Sequence, residues 1–239
     1  NKAYALAQNY VESIVDNYAK RSSTKKIPYT YDNSLFSLFL SGFPYKDTVD
    51  QQTSWREICS DLCSDKPMDR LLCGDVGFGK TEIAIRSSFL ALINKKKVLV
   101  LAPTTVLAQQ LFSGFEERLS VFGYVCAHVS RLTTKKNDVF DGFLSNKIDL
   151  IVGTHSIVKN SSLLKKADLF IVDEEHRFGV KDKEAVFSLN PVCDFLSLSA
   201  TPIPRSLQFS LSGVRNISTM LTPPLSRKPI VLSFLKYDF

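Results

Sequence analysis

Gly74-Asp75-Val76-Gly77-Phe78-Gly79-Lys80-Thr81 spells G-x-x-x-x-G-K-[ST], directly after apolar Leu71-Leu72-Cys73 and ahead of a helical pattern. Glycines at this spacing let backbone N–H groups converge on phosphate oxygens, and the helix that follows presents its positive end. Lys80 is placed to reach the β and γ phosphates and Thr81 to offer a hydroxyl to Mg²⁺, with Glu82 next in the same loop. A second group, Asp173-Glu174-Glu175-His176, follows apolar Leu169-Phe170-Ile171-Val172. Adjacent acids at the end of a buried strand are unfavourable unless a cation or a water needs them. Asp173 could hold Mg²⁺, partly through water, and Glu174 could orient or deprotonate the water that attacks a γ-phosphate. Lys80, Asp173 and Glu174 are therefore the candidate catalytic residues.

A competing pattern is Asn146-Lys147-Ile148-Asp149, the N-K-x-D that reads guanine in GTP-controlled switches. Its position argues against that role. A base reader should follow its strand, at the ligand edge, whereas Asp149 precedes Leu150-Ile151-Val152. Ser199-Ala200-Thr201, with Pro202 to Arg205 after it, again follows an apolar run, as do Thr104-Thr105, Ser130-Arg131 and Gly153-Thr154. Small hydroxyl residues, backbone N–H groups and an arginine at such places suit a nucleic-acid backbone, although each alone also suits a loop or a cap.

These groups need a scaffold that brings strand ends together. Short apolar runs at 71–73, 98–102, 125–129, 150–152, 169–172, 195–198 and 217–220 alternate with helical patterns, which predicts an α/β fold with a parallel sheet flanked by helices. In such sheets the ligand lies at the carboxyl ends of the strands. The first fifty residues read differently. Val11, Ile14, Val15 and Tyr18 form an amphipathic stripe, and Leu35 to Leu40 form a short apolar helix with N-cap candidates at Asp32 to Ser34 and a stop at Gly42. Thr48 and Gln51 have the spacing of a capping box for a further helix that buries Trp55, Ile58 and Leu62.

The chain has 239 residues, 44% hydrophobic and 23% charged, with a net charge of +6, which excludes a disordered or fibrous chain and leaves positive charge for a polyanion. Five cysteines without a C-x-x-C pair predict reduced thiols of a cytoplasmic protein, not a disulfide framework or zinc ribbon. No run is long enough for a membrane span, so a membrane partner is not expected. His128, inside an apolar strand, is expected to be buried and hydrogen-bonded, and Lys95 to Lys97, Lys135 and Lys165 to be solvated.

Phosphate loop, D-E-x-H and S-A-T, in this order, resemble the first motor domain of superfamily-two helicases and translocases. Longer strings, GDVGFGKTE, APTTVLAQQ, IVGTH, IVDEEHRFGV and SATPIPRSL, look like the bacterial transcription-repair coupling family over nearly the whole chain. RecG-like branched-DNA helicases share much of this but typically read D-E-Q-H, where this chain has Glu175, and lack a phenylalanine at Phe78. The resemblance implies a RecA-like P-loop fold with a helical lead-in at residues 1–45, motor domain at 46–225 and, at 226–239, the start of a linker to a second RecA-like domain that this length does not accommodate.

It also implies roles for individual residues. Phe43 and Gln51, in FPYKDTVDQ, match an adenine-recognising motif, although capping alone could explain Gln51. His176, Ser199 and Thr201 would couple the γ-phosphate state to motion, while Thr104, Thr105, Arg131, Gly153, Thr154 and Arg205 would touch the backbone of double-stranded DNA. The implied cofactors are ATP and Mg²⁺. RNA polymerase and a repair nuclease would be engaged through parts outside this chain, and the missing arginine fingers would leave turnover feeble. A GTP switch, a non-catalytic nucleotide-binding module and a RecG-like lobe remain as alternatives.

Overall fold

The computed structural model describes residues 19–21, 23–200 and 215–225. The amphipathic stripe of residues 11–18, Thr201, Arg205 and the segment 226–239 lie outside them. Among the described residues, seven strands form one sheet in the order β3-β4-β2-β5-β6-β1-β7. They are β1 (Asp69–Gly74), β2 (Val98–Leu101), β3 (Cys126–Val129), β4 (Leu150–Gly153), β5 (Leu169–Val172), β6 (Asp194–Ser199) and β7 (Asn216–Met220). Every pairing is parallel. The α/β parallel sheet expected from the apolar runs is therefore present. Helices on both faces explain why β2, β4, β5 and β6 are buried throughout and lack the in–out alternation of a half-exposed sheet.

The helices are α1 (Asn33–Ser41), α2 (Val49–Leu62), α3 (Lys80–Ile93), α4 (Thr105–Leu119), α5 (Lys136–Leu144), α6 (Ser161–Lys166) and α7 (Val180–Leu189). Asp32 caps α1 by accepting from the Leu35 N–H at 2.9 Å, and Gly42 closes it. Phe36 and Phe39 of α1 are in van der Waals register with the main core. Phe39 stacks on Phe89 of α3 at 4.0 Å between centroids, and Phe36 stacks on Trp55 of α2 at 4.9 Å. Phe36 and Phe39 thus belong to the same core cluster as Trp55 of α2 and Phe89 of α3.

The amino edge of the sheet carries buried charge. Arg21 is 5% exposed and donates to the carbonyls of Met68, Pro191 and Cys193, each at 3.0 Å. Lys97 is buried and pairs with Asp149 at 2.8 Å, which corrects the expectation that it is solvated. The other Asp149 oxygen accepts from the Val125 N–H, so this acid ties three strand starts together. Asn146 to Asp149 therefore lies before β4, at the sheet edge away from the phosphate loop, as expected from its place ahead of the strand. His128 is also corrected. Its Nε2 is buried without a hydrogen-bond partner, and burial pushes the imidazole below its usual pKa.

Asp194 makes the amino edge sensitive to pH. Its carboxyl is pushed up to about 6 by burial, against the pull of Lys26 at 3.0 Å and the Met68 N–H at 2.7 Å. A carboxyl whose pKa is higher folded than unfolded holds its proton more tightly in the folded state. Its destabilising effect is complete above about 6 and disappears as pH falls toward the ordinary 3.8. Urea denaturation at about pH 5 and about pH 7 should show a stability loss on going to the higher pH that is smaller in Asp194→Asn. Equal slopes for the two proteins would contradict this assignment.

Candidate functional site

All strands being parallel, β1, β6 and β5 deliver their following loops to one edge. Their register sets Cys73 beside Ser199 and Val172 beside Ser197. The phosphate loop after β1 and the acidic turn after β5 thus flank Ser199, which is buried between them.

The phosphate loop is built around two left-handed glycines, Gly77 at φ +80° and Gly79 at φ +87°. Gly79 is also the N-cap of α3, with no side-chain cap bond, so the first turn keeps the character of an anion site. A Cβ on Gly79 would sit 2.3 Å from Nε2 of Gln51. Gly79→Ala combines that clash with a backbone angle alanine resists. It should weaken binding of any nucleoside triphosphate held by this loop by at least about tenfold in a calorimetric titration. An unchanged affinity would show that the loop does not hold phosphate in this conformation.

Lys80 donates to the Gly74 carbonyl at 2.6 Å and to that of Asp75 at 3.0 Å. The ammonium is thereby held over the hollow of the loop. Burial pushes its pKa down, while the negative charges of Asp173 and Glu174 oppose that. The Asp173 carboxyl is pushed up, first by burial and then by Glu174, with Lys80 pulling the other way. A desolvated acid beside a desolvated ammonium is an arrangement that a phosphate and a divalent cation would each relieve. Thr81 is exposed at the mouth of the loop, and among the described residues no cluster of three or more His, Cys, Asp or Glu offers a self-contained metal site. The residues therefore fit a Mg²⁺ shared with bound phosphates rather than one caged by protein.

Glu174 adopts φ +55°, a left-handed conformation costing a non-glycine residue roughly 1–2 kcal/mol. Its neighbours hold it there. Its N–H donates to Asp173 Oδ1 at 3.1 Å, and its carbonyl accepts from the Arg177 N–H at 2.9 Å. Glu175 turns the other way, into ion pairs with Arg215 at 2.5 Å and Lys183 at 3.7 Å, and both cations also pair with Asp69. The effect is to turn Glu174 out toward the ligand edge, where Nδ1 of His176 lies 3.3 Å from its carboxylate. Sequence reasoning missed Arg215, Lys183 and Asp69, since no local spacing links them to the acidic turn.

Beside the phosphate loop is a cavity of about 250 Å³ lined by Phe43, Tyr45, Lys46, Gln51, Gly77, Gly79, Glu82 and Pro224. Both ends of the Gln51 amide are engaged. Oε1 accepts from the Thr48 N–H at 2.9 Å, completing the capping box of α2, and Nε2 donates to the Phe78 carbonyl at 2.8 Å. The capping reading of Gln51 and its place in a cavity wall thus hold together. Phe78 itself points into the core and is 7% exposed, and Val76 N–H donates to Oδ1 of Asp75 in the exposed part of the loop. Glu82 accepts from Arg86 at 2.9 Å, and Arg86 also grips Asp47 at 2.7 Å and lies 5.2 Å over the Phe43 ring. That ion network, unforeseen in the sequence, fixes the loop carrying Phe43.

The candidate DNA grips lie on the other half of the same edge, after β2, β3 and β4. Arg131 is exposed, and Thr105 is half-buried. The Thr104 hydroxyl caps α4 by accepting from the Leu107 N–H at 3.2 Å. Gly153 has a packing reason for its identity, since a Cβ would come 2.5 Å from the Val129 carbonyl oxygen. Thr154 is 9% exposed, with its N–H donating to that same carbonyl.

Against known proteins, the DEAD/DEAH box helicase family matches residues 48–209, from the cap of α2 to beyond the S-A-T sequence. The chain belongs to that family. Phe43 falls just outside the matched helicase region, whereas Gln51, the phosphate loop and the acidic turn fall inside it. The transcription-repair-coupling factor of Borreliella burgdorferi is 46% identical over 235 residues, covering 96% of this chain and 21% of that protein. The one from Escherichia coli is 39% identical over 239 residues, covering 99% and 21%. The resemblance read from the longer strings is thus borne out, and the chain spans about a fifth of the length of these curated relatives. Among solved structures, RecG bound to a three-way DNA junction superposes with a TM-score of 0.76 at 31% identity, covering 92% of this chain and 31% of that one. The UvsW helicase of bacteriophage T4, with a TM-score of 0.59 at 17% identity over 89% and 77%, shares the fold. Among the described residues no helix is long and apolar enough to cross a membrane.

Proposed function

We propose that this helicase-family chain is the ATP-binding first motor lobe of a double-stranded DNA translocase that couples transcription to repair by acting on stalled RNA polymerase. The observation that carries the reading is the convergence of phosphate loop and acidic turn on one sheet edge, with Lys80 and Asp173 sensing each other's charge. In this reading the glycine loop and Lys80 bind the triphosphate, and Phe43 and the cavity beside it take adenine. Thr81 and Asp173 would hold Mg²⁺, which supplies charge neutralisation for the transferred phosphoryl group. Glu174 orients and deprotonates the attacking water, and His176 and Ser199 pass the state of the γ-phosphate to the neighbouring loops. Thr104, Thr105, Arg131, Gly153 and Thr154, with Thr201 and Arg205 beyond the described residues, would complete the coupling and DNA-backbone contacts.

Similarity to transcription-repair-coupling factors over nearly the whole chain supports the polymerase-coupling role, and the RecG likeness supports a DNA motor more broadly. RNA polymerase and a repair nuclease would then be reached through other parts of the protein, and arginines of a second lobe would raise turnover by roughly 10³ to 10⁵. The test uses the full-length protein. Its ATPase should be stimulated by duplex DNA of any sequence, with stimulation falling steeply as salt rises, and it should displace a stalled polymerase. Preference for branched junctions with no action on stalled polymerase would favour a RecG-like helicase instead.

A further inference from the structure

The chain leaving β7 reaches the wall of the base cavity through Leu221, Thr222, Pro223 and Pro224. The prolines have no N–H, so between Met220 and Leu225 only Leu221 and Thr222 carry a backbone donor. Both donate to the same carboxylate oxygen, Oδ2 of Asp50, at 2.8 and 2.7 Å. Asp50 is half-buried in the first turn of α2, next to Gln51, whose amide grips the phosphate loop. Two consecutive residues of one helical turn therefore hold two separate walls of the same cavity. Gln51 holds the phosphate-loop wall, and Asp50 holds the segment that presents Pro224. With Pro223 and Pro224 restricting their own φ angles, fixing Leu221 and Thr222 fixes where Pro224 stands.

We infer that Asp50 is a positioning residue for base recognition: by clamping Leu221 and Thr222 it sets Pro224 in the wall of the cavity that Phe43 also lines. The inference rests on the reading of this edge as an ATP site. It adds that the segment leaving the sheet is mechanically tied to the base pocket, so that filling the pocket and moving that segment influence each other. Burial resists ionisation of the Asp50 carboxyl, but the bonds from Thr222 and Leu221 prevail and hold its pKa below the usual range, in keeping with a carboxylate that stays charged in its clamp.

The test compares Mg·ATP with Mg·tripolyphosphate, which has no base, by calorimetric titration of the chain. Asp50→Ala should weaken ATP binding by roughly five- to tenfold and leave tripolyphosphate binding within about twofold. Asp50→Asn, whose amide oxygen still accepts from both N–H groups, should restore ATP affinity to within about threefold of the unaltered chain. Unchanged ATP affinity in Asp50→Ala, or equal weakening of ATP and tripolyphosphate, would overturn the inference while leaving the ATP site standing. Should the unaltered chain bind ATP no more tightly than Lys80→Ala, the ATP-site reading fails and this inference fails with it.

Discussion

Lys80→Ala should reduce affinity for Mg·ATP by about 100-fold or more, with little change in thermal stability of the ligand-free chain. The size follows from what is removed. Charge-assisted hydrogen bonds are worth roughly 1.5–3 kcal/mol each, and this ammonium would serve two phosphates. Its partners are the Gly74 and Asp75 carbonyls at a half-buried position, so the folded chain depends on it little. Loss of the ammonium also leaves Asp173 and Glu174 without the positive charge that both of them feel. Calorimetry with a non-hydrolysable ATP analogue, beside a thermal melt, separates loss of binding from loss of fold. Unchanged affinity would identify the loop as a relic in a non-catalytic module.

Glu174→Gln should leave Mg·ATP binding within a few-fold and slow hydrolysis by roughly 10² to 10⁴, the range for a removed general base. Glutamine keeps the shape but cannot take the proton of the attacking water. Single-turnover release of phosphate, with DNA present, measures the chemical step directly. A companion substitution uses the strained backbone. Glu174→Gly should abolish the same chemistry while raising the melting temperature, because glycine accepts φ +55° without the penalty borne by glutamate. A structural role for Glu174 predicts the opposite order, with glycine the less stable protein. Hydrolysis that survives both substitutions would move the base to His176.

The fold, and the two loops that form the candidate site, were legible from residues close together in the chain. Apolar runs bounded by turns marked all seven strands, because a parallel sheet covered on both faces demands continuous apolar stretches. The phosphate loop and acidic turn were legible because each chemistry needs fixed residue types at a fixed short spacing. Long-range electrostatics was not legible. Arg86 with Asp47, Glu175 with Arg215, and Asp50 with Leu221 join positions whose proximity only the folded chain creates. Lys97 shows the same limit from another side, since a lysine in a basic run reads as solvated until the fold sets Asp149 beside it. His128 was placed correctly in its strand, but a hydrogen-bond partner cannot be inferred from a strand pattern, and its Nε2 has none.

The proposed ATP site should distinguish adenine from guanine through the cavity of Phe43, Gln51 and Pro224. The most direct measurement is a paired calorimetric titration of the chain with Mg·ATP and Mg·GTP analogues. One site per chain is expected, with an affinity for the ATP analogue at least about tenfold higher, or about 1.4 kcal/mol. Equal or stronger binding of the GTP analogue, or no binding of either, would contradict it.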